Sequence, residues 1–453
     1  MNKRNQRMLQ GPLLKNIIMY TIPIILTSWL QLLFNAADLV VVGQFDGSNS
    51  LAAVGATGAI TNLIVNLFIG LSVGAGVGVA HGLGSGDDEV VHRTVHTAIP
   101  AAIVSGLFLT VVGVGLSGLF LTWMGTPSNI LPMATLYMQI YFGGMTFNMV
   151  YNFAASILRA AGDTKSPLFF LGISGVINVG LNLIFVIFLR MNVAGVALAT
   201  AISQAVSAVL VVITLMRRTD ACRLELKKMR FYKPQLLKMI RIGLPAGVQG
   251  SMFSISNVMI QSSINSFGDV VMSGNTAAGN IEGFIFTAMN ALHQSAVNFT
   301  GQNVGARQYD RVKKILWTCL GCVAVTGLVL GFAVILLGEG LLGIYIPDSQ
   351  EAIGYGLSRM RIICAAYFVC GLMDVSTGAL RGMGASTVPM IISVLGVCGI
   401  RLLWIATVFQ IPQFHTTTCL YISYGVSWTV TFVAQFVAFW VVYRRHTKQA
   451  ESP

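Results

Sequence analysis

The stretch LRAAGDTKSPL at residues 158–168 returns in the second half of the chain as LRGMGASTVPM at residues 380–390. Arg159 corresponds to Arg381, and a glycine and a proline follow each arginine at the same distances. Glycine commonly ends a helix, and proline commonly stands in the first turn of the next one. Each copy therefore predicts a helix, a tight turn and a second helix, and the repeat indicates two related halves.

Apolar residues dominate the sequence around both copies. The chain has 453 residues, of which 55% are hydrophobic and only 10% are charged, and its mean hydropathy is +0.75. Soluble domains carry about 25% charged residues. Apolar stretches of about 20 residues predict membrane-spanning helices, whereas a transmembrane β-barrel has short alternating segments. The sequence therefore predicts an all-α polytopic membrane protein.

Clusters of turn-forming residues divide the apolar sequence into twelve predicted spans. The spans lie near residues 16–43, 51–82, 94–121, 130–158, 167–189, 193–216, 242–267, 274–303, 314–338, 352–380, 387–410 and 417–443. Because each half has an even number of spans, we expect two six-helix lobes related by an axis along the membrane normal. The predicted parts are an N-lobe at 1–216, a basic cytoplasmic linker at 217–241, a C-lobe at 242–443 and a tail at 444–453.

Two further pairs of segments repeat with nearly the same period. Pro23 in the first span corresponds to Pro245 in the seventh, at the same offset as Arg159 and Arg381. GLGSGDDEVVHR at 82–93 corresponds to NVGARQYDRVKK at 303–314, with an offset shorter by a single position. The second predicted helix also carries a glycine at every fourth position, which predicts the close approach of another helix backbone. These glycines stand at residues 70, 74, 78, 82 and 86.

Positive charges lie mainly between the spans. The formal net charge is +12, and Lys and Arg concentrate at the N-terminus, the even-numbered connections, the linker and the C-terminus. By the positive-inside rule both termini are cytoplasmic, and the same distribution argues against nucleic-acid binding. The basic N-terminus precedes a long apolar segment without a cleavage site, which indicates a retained first helix. The linker is interpreted as a topology anchor rather than a contact for anionic lipid.

The sequence shows no pattern typical of an enzyme or a metalloprotein. The glycine-rich segments of the chain lack the preceding strand and the Lys–Ser/Thr ending of a nucleotide-binding loop. Because no ATPase motif is visible, transport would draw on an ion gradient. The seven cysteines lack framework spacing, and Cys319 and Cys322 lie in an apolar helix, so we expect packing rather than disulfides or metal binding. We predict no enzyme, no catalytic residue, no metal and no cofactor beyond a coupling ion.

Polar residues at membrane depth are few, and a charged one costs roughly 2.5–3.5 kcal/mol on insertion. In the first span, Gln31, Asn35 and Asp38 share one helix face. An acid with amide neighbours binds a proton or a small cation, and this interpretation is favoured over an Asp that only reaches water at the interface.

Further oxygen-bearing side chains occur in the fifth and sixth spans. Asn178 and Asn182 are one turn apart on one face, and Thr200 lies one helix later. With one carboxylate they predict either a Na⁺ site or hydrogen bonds between helices. In the fourth span, Met145 and Asn152 belong to a cluster that is either an adaptable ligand pocket or ordinary core packing.

Three charged residues lie inside the predicted spans of the second half. They are Glu282, Asp374 and Arg401. One arginine and two acids on nearby helices predict a buried ion pair and a remaining carboxylate that titrates. The alternative is a purely structural ion pair.

The sequence resembles the multidrug and toxic compound extrusion (MATE) transporters over nearly its whole length, in a prokaryotic branch with DinF-like and MepA-like proteins. The matching pieces include the pattern from Pro23 to FNAAD, then SLAAVGATG, ILRAAGDTKSP, GLP after the linker, GQNVGA and ALRGMG. The resemblance implies two six-helix lobes, V-shaped around a central cavity, in a bacterial inner membrane. It implies a monomeric antiporter that exports organic cations in exchange for H⁺ or Na⁺ by alternating access.

The resemblance also implies roles for individual residues. Asp38, Asn178 and Thr200 match cation-site positions, while the fourth position, commonly Asp, is Asn182 here. The expected cation-coupling residues are Asp38, Asn178, Asn182, Thr200, Glu282 and Asp374. The expected substrate-cavity residues are Gln31, Asn35, Met145, Asn152 and Arg401.

Three other functions remain as alternatives. A lipid-linked saccharide flippase of the same superfamily needs cationic residues along its cavity, and Arg401 is the only Arg or Lys predicted at mid-span. A membrane enzyme needs a nucleophile–base pair or a metal cluster. A channel does not need a twofold repeat with carboxylates in both halves.

Overall fold

The structure is a computed structural model that describes residues 7–45, 48–347 and 349–451. Within these ranges the chain is helical and forms no strand. The helices, in chain order, are α1 (Leu13–Phe45), α2 (Ser48–Ser85), α3 (Asp88–Trp123), α4 (Leu131–Gly143), α5 (Met145–Ala160), α6 (Lys165–Asn182), α7 (Asn192–Arg217), α8 (Lys233–Asn265), α9 (Asp269–Gly305), α10 (Tyr309–Tyr345), α11 (Gln350–Gly382), α12 (Thr387–Ser393), α13 (Ile400–Ala406) and α14 (Thr417–Glu451). Two π-helical turns, Leu183–Phe188 and Val394–Gly399, extend α6 and join α12 to α13.

Nine helical stretches within the described ranges are long and apolar enough to cross a membrane. The predicted fourth, seventh and eighth spans are not among them. The fourth is interrupted at Gly144 into α4 and α5, of 13 and 16 residues. Helices α8 and α9 have 33 and 37 residues but contain many Ser, Asn and Gln side chains. The predicted all-α class is confirmed, while the number of twelve spans stays a prediction.

The helices group into two compact units. Among the described residues, unit 1 contains Arg7 and 22–247, and unit 2 contains 8–21 and 248–451. The units therefore do not divide simply at the linker. The beginning of α1 belongs to unit 2, and the beginning of α8 belongs to unit 1.

Helix α5 is the central helix of unit 1. It packs against α2, α3 and α7, and the side chains of Met149, Phe153 and Ile157 on it have no exposed surface. Helices α4 and α6 complete the unit by packing on α7. The first copy of the repeated stretch therefore lies at the end of the helix around which the unit is built.

The glycines of α2 allow the beginning of α8 to pack closely within unit 1. A Cβ atom at Gly70 would lie 2.2 Å from the backbone nitrogen of Gly247, and one at Gly74 would lie 2.2 Å from the carbonyl oxygen of Met239. These distances leave no room for a side chain. Close backbone packing is therefore confirmed at Gly70 and Gly74, whereas the other three glycines of the stripe meet side-chain atoms first or nothing within 4 Å.

Helix α11 is the central helix of unit 2 and carries the second copy of the repeated stretch. It packs against α9, α10 and α14. The beginning of α1 packs on α9 in this unit: the hydroxyls of Thr21 and Ser295 are 2.7 Å apart, and the rings of Tyr20 and Phe299 meet edge to face.

The repeated stretches form the same turn in both units. Gly162 and Gly384 have φ angles of 80° and 84°. At each turn, the amide after the glycine donates to the carbonyl oxygen of the leucine that begins the stretch, which is the Schellman arrangement that ends a helix. The second repeated pair behaves alike, with φ 71° at Gly86 and φ 57° at Arg307. The predicted helix–turn–helix hairpins are confirmed.

The linker between α7 and α8 folds against unit 1 with little regular structure of its own. Its only helical turn among the described residues is Leu226–Lys228. Arg218 donates a forked pair of hydrogen bonds to Asp220, and the amide of Glu225 donates to His96 Nε2 at 2.9 Å. Cys222 is fully buried, and burial raises the pKa of its thiol to about 12.

Candidate functional site

A close contact between α1 and α6 brings Asp38 near the polar residues of α6. A Cβ atom at Gly175 on α6 would lie 1.8 Å from the ring of Phe34 on α1. Only glycine therefore admits this ring, and α1 and α6 pack closely at this level. Asp38 lies one turn beyond Phe34 on α1, and Asn182 lies two turns beyond Gly175 on α6.

Four residues predicted to bind the coupling ion form one hydrogen-bonded group in unit 1, which we call the Asp38 group. The amide nitrogen of Asn182 donates to the Asp38 carboxylate and to Asn178 Oδ1 at 3.3 Å. The amide nitrogen of Asn178 donates to the hydroxyl of Thr200 at 3.4 Å. Thr200 in turn donates to the carbonyl oxygen of Val196. Three helices thus contribute to a single polar cluster.

One acceptor of the Asp38 group has no donor. The Oδ1 atom of Asn182 is buried and accepts no hydrogen bond from a described residue, and Asn178 and Asn182 are 4% and 0% exposed. Asp38 is half-buried. Leaving a buried acceptor unpaired costs about 1–3 kcal/mol, and a bound cation or proton-carrying group would recover that cost. Carboxylate, amide and hydroxyl oxygens are the ligands that hard cations prefer.

The other predicted residues of the first half lie apart from this group. Gln31 and Asn35 are exposed on α1. Met145 lies in the core of unit 1 with no exposed surface, which does not favour direct contact with a ligand. Asn152 is half-buried and donates to the backbone and side chain of Asn148 on its own helix.

The ion pair predicted between an acid and Arg401 is wrong for Glu282. Its carboxylate pairs instead with Arg359, whose Nε and Nη2 donate at 2.9 and 2.7 Å. Nη1 of the same arginine donates to Asn275. Arg359 lies near the beginning of the predicted tenth span, 352–380, yet the structure buries it to 8% exposure. Its position more than two turns inside α11 was the signal that could have placed it in the interior.

Asp374 lies near a second buried arginine, Arg381 of the repeated stretch. Arg381 is 8% exposed and donates to Gln249 Oε1 at 2.7 Å. Its Nη1 lies 3.3 Å from His293 Nε2, and His293 Nδ1 lies 2.6 Å from the Asp374 carbonyl oxygen. Because arginine only donates, His293 is the neutral tautomer with its proton on Nδ1.

Arg401 is buried at the beginning of α13 and is 3% exposed. Its Nε donates to Ser427 at 3.0 Å, and its guanidinium carbon lies 4.1 Å from the ring centre of Tyr424. It forms no ion pair with a described carboxylate.

The Asp38 group is not duplicated in the second half. At the offset of the repeat, Asp38 corresponds to Ile260 and Asn182 to Trp404. Unit 2 instead contains the buried arginines Arg359, Arg381 and Arg401. The buried polar side chains of the two units therefore differ, although their helices are related by the repeat.

The sequence of the chain matches a family model over both of its halves. The model described as MatE matches residues 23–184 and again residues 245–407. The two matches begin at Pro23 and Pro245, the prolines that the repeat pairs, and together cover most of the chain. The chain belongs to the MatE family. The predicted resemblance to the MATE transporters is thereby confirmed, and this MatE protein is a helical membrane protein of a transporter family.

Two relatives of the chain come from Bacillus subtilis and Staphylococcus aureus. The probable multidrug resistance protein YpnP of Bacillus subtilis is 27% identical over 388 residues, which cover 85% of this chain and 86% of YpnP. The multidrug export protein MepA of Staphylococcus aureus strain N315 is 21% identical over 386 residues, with 85% of each chain covered.

Solved structures share the fold of the MatE protein. A MOP superfamily transporter from Pyrococcus furiosus, described as having a binding pocket of reverse polarity, aligns with a TM-score of 0.92, 19% identity and 99% of both chains covered. An outward-facing multidrug resistance MATE family transporter aligns with a TM-score of 0.89, 20% identity and the same coverage.

Proposed function

We propose that this protein is a secondary active antiporter that exports organic cations in exchange for H⁺ or Na⁺ by alternating access. It would do so in a bacterial inner membrane, as twelve transmembrane helices in two lobes, with both termini cytoplasmic and no enzymatic activity. The names of YpnP and MepA as multidrug proteins support export of organic molecules.

The Asp38 group is the observation that carries the proposal. A carboxylate inside an apolar helix is costly and marks an ion or proton pathway. Here the amide nitrogen of Asn182 donates to that carboxylate, and the amide oxygen of Asn182 is buried and accepts no hydrogen bond from a described residue. A proton on Asp38 or a Na⁺ ion between Asp38 and Asn182 would alter the bonds that join α1 to α6. A ligand shifts a conformational equilibrium only when it binds the two states differently.

Efflux of ethidium from proteoliposomes tests the proposal. A pH gradient and a Na⁺ gradient are imposed separately on wild type and on Asp38→Asn. We expect one gradient to drive efflux in wild type and the variant to lose at least about 90% of the gradient-driven rate, a change of about 1.4 kcal/mol in the activation free energy.

Asp374→Asn is the matched control, because it removes a buried carboxylate of unit 2 that forms no ion pair with a described residue. It is expected to keep the ion dependence of wild type. Loss of coupling in Asp374→Asn alone would move the ion site to unit 2. Wild type that transports under neither gradient would refute the antiporter.

The flippase alternative receives less support than the antiporter. A lipid-linked pyrophosphate needs several free cationic groups. Besides Arg401, the structure shows Arg359 and Arg381 as buried cations of unit 2. Arg359 is neutralised by Glu282, and Arg381 is bound by Gln249 and His293 near Asp374. Among the buried arginines of unit 2 that the structure describes, this leaves Arg401 alone without a counter-charge, which is too few for a pyrophosphate site.

A further inference from the structure

Arg401 differs from the other buried arginines of unit 2 in its lack of a counter-charge. Arg359 has Glu282 within 2.7 Å, and the charge of Asp374 acts on Arg381. No described carboxylate lies within 4.0 Å of Arg401. A charge without a partner inside a membrane protein costs roughly 2.5–3.5 kcal/mol on insertion, so its retention calls for a partner from outside the chain.

The surroundings of Arg401 hold the guanidinium in one orientation. Three residues of α14 do so: Ser427 accepts from Nε at 3.0 Å, Tyr424 lies under the guanidinium at 4.1 Å, and the ring centre of Trp428 is 5.6 Å away. Ser427 itself donates to the Tyr424 carbonyl oxygen. Cation–π contacts supply about 2 kcal/mol at a desolvated site, which offsets only part of the burial cost.

The two terminal nitrogens of Arg401 remain available. Neither Nη makes a hydrogen bond with a described residue, yet neither is among the fully enclosed unpaired atoms, in contrast to Nε of Arg381. These atoms therefore keep accessible surface. Two parallel N–H groups on one edge of a guanidinium match the two oxygens of a carboxylate or phosphate.

The aromatic residues beside Arg401 indicate the rest of the ligand. Trp428 contacts Tyr424 and Tyr367 with ring centres 5.5 and 5.3 Å apart, and Tyr367 is largely buried. A flat aromatic molecule would continue this group of rings by stacking or edge contacts. Because the guanidinium is already fixed, little ordering cost is added when an anion binds.

We propose that Arg401 forms a carboxylate-binding subsite in unit 2, which takes the anionic group of an aromatic substrate. The proposal deepens the proposed export function, because the substrates would include zwitterionic aromatic molecules as well as cations. Only the transport of such molecules rests on the proposed function; their binding at Arg401 does not. A phospholipid headgroup offers the same oxygen chemistry, and the experiment separates the two sources.

Two rhodamines that differ in one group test the subsite. Rhodamine 110 carries a free carboxylate, and rhodamine 123 is its methyl ester. Binding to purified protein is measured by fluorescence anisotropy without any ion gradient. Wild type should bind rhodamine 110 more tightly, and Arg401→Gln should weaken its binding at least tenfold while changing rhodamine 123 binding less than about twofold. Tenfold corresponds to about 1.4 kcal/mol.

Two further variants keep the test decisive. Arg401→Lys retains the charge and loses the fork, so it should bind rhodamine 110 with intermediate affinity, and it replaces Arg401→Gln if that variant does not fold. Ser427→Ala removes the acceptor of Nε and should weaken rhodamine 110 binding by a smaller factor. Equal losses for both rhodamines, or no loss for either, would overturn the subsite.

Anionic lipid is the competing source of the oxygens. Wild type in nanodiscs with phosphatidylglycerol should bind rhodamine 110 as it does in phosphatidylcholine. If phosphatidylglycerol displaces the probe from wild type but not from Arg401→Gln, the site belongs to a headgroup and the substrate proposal fails. Since binding is measured without a gradient, wild type that distinguishes the rhodamines but transports neither would refute only the antiporter.

Discussion

The guanidinium of Arg359 presents one edge to the carboxylate of Glu282 and donates two hydrogen bonds to its two oxygens, at 2.9 and 2.7 Å. The side chains are 10% and 3% exposed. Charges removed from water in this way depend on each other, because either one alone would stay buried without compensation. Glu282 is therefore a structural partner of Arg359 in this conformation, although the sequence predicted an ion-coupling role.

Removing one member of this pair should destabilise unit 2. Glu282→Gln is expected to lower the free energy of unfolding by about 3–5 kcal/mol, because Arg359 is left with an uncompensated charge. Thermal unfolding in detergent measures the effect, and Glu351→Gln at the exposed beginning of α11 is the control. The double variant Glu282→Gln with Arg359→Met should recover most of the loss. Unchanged unfolding of Glu282→Gln would contradict the pair.

A second carboxylate in the Asp38 group should increase its affinity for Na⁺. In Asn182→Asp the new carboxylate would face Asp38 across a hydrogen-bond distance, and two negative charges attract a small cation more strongly than one. We expect ethidium efflux to reach its half-maximal rate at a Na⁺ concentration at least about threefold lower, or to acquire a Na⁺ dependence if wild type uses protons. The expected factor corresponds to about 0.6 kcal/mol.

Asn148→Asp is the control for this variant, since it makes the same change on α5 beside Asn152. Its ion dependence should equal that of wild type. If Asn182→Asp also transports with unaltered ion dependence, the Asp38 group is not the coupling site.

The two equivalent turns at Gly86 and Arg307 should respond to substitution with opposite sign. Both residues have positive φ, and a Cβ atom at Gly86 would meet nothing within 4 Å, so only the backbone conformation opposes a side chain. A left-handed residue other than glycine costs about 1–2 kcal/mol. Gly86→Ala should therefore lower, and Arg307→Gly should raise, the midpoint of thermal unfolding. Shifts in the same direction would contradict the assignment of these turns.

Cys222 in the linker should resist alkylation in the folded protein. Burial raises the pKa of its thiol to about 12, and only the thiolate attacks maleimides. A variant with Cys222 as its single cysteine should react with N-ethylmaleimide at pH 7 only after denaturation. Lys227→Cys, at an exposed position of the same linker, in a chain without other cysteines, should react at once. Rapid labelling of Cys222 before denaturation would mean that the linker does not pack as described.

Much of the fold could be predicted because hydropathy and turn residues are local signals. The glycines of the repeated stretch predicted the turns at Gly162 and Gly384, and both have the required φ angle. The glycine stripe of α2 predicted a close helix contact, but not its partner: the backbone of α8, which follows only after five further helices, fills that space. A glycine stripe predicts that another helix packs closely, but it does not identify that helix.

The candidate site was predictable to the same degree. Spacing and family resemblance grouped Asp38 with Asn178, Asn182 and Thr200, and the structure joins them in one hydrogen-bonded group. The partner of Glu282 could not be predicted, since Arg359 lies near the beginning of its predicted span, where a long positive side chain commonly reaches the interface. Whether a charge turns inward depends on contacts from other helices, here Asn275 and Glu282 on α9.

Two helices belong partly to each unit, and each half of the chain is therefore incomplete by itself. The beginning of α1, up to Thr21, belongs to unit 2, and the beginning of α8 belongs to unit 1. A fragment cut within the linker would lose a packing partner: Thr21 would lack Ser295, and Gly70 would lack Gly247. Neither fragment should fold by itself, and the two should recover a native protein only when synthesised together. A six-helix ancestor with the same arrangement would have needed a second copy of itself, exchanging its first helix in the manner of a domain-swapped dimer.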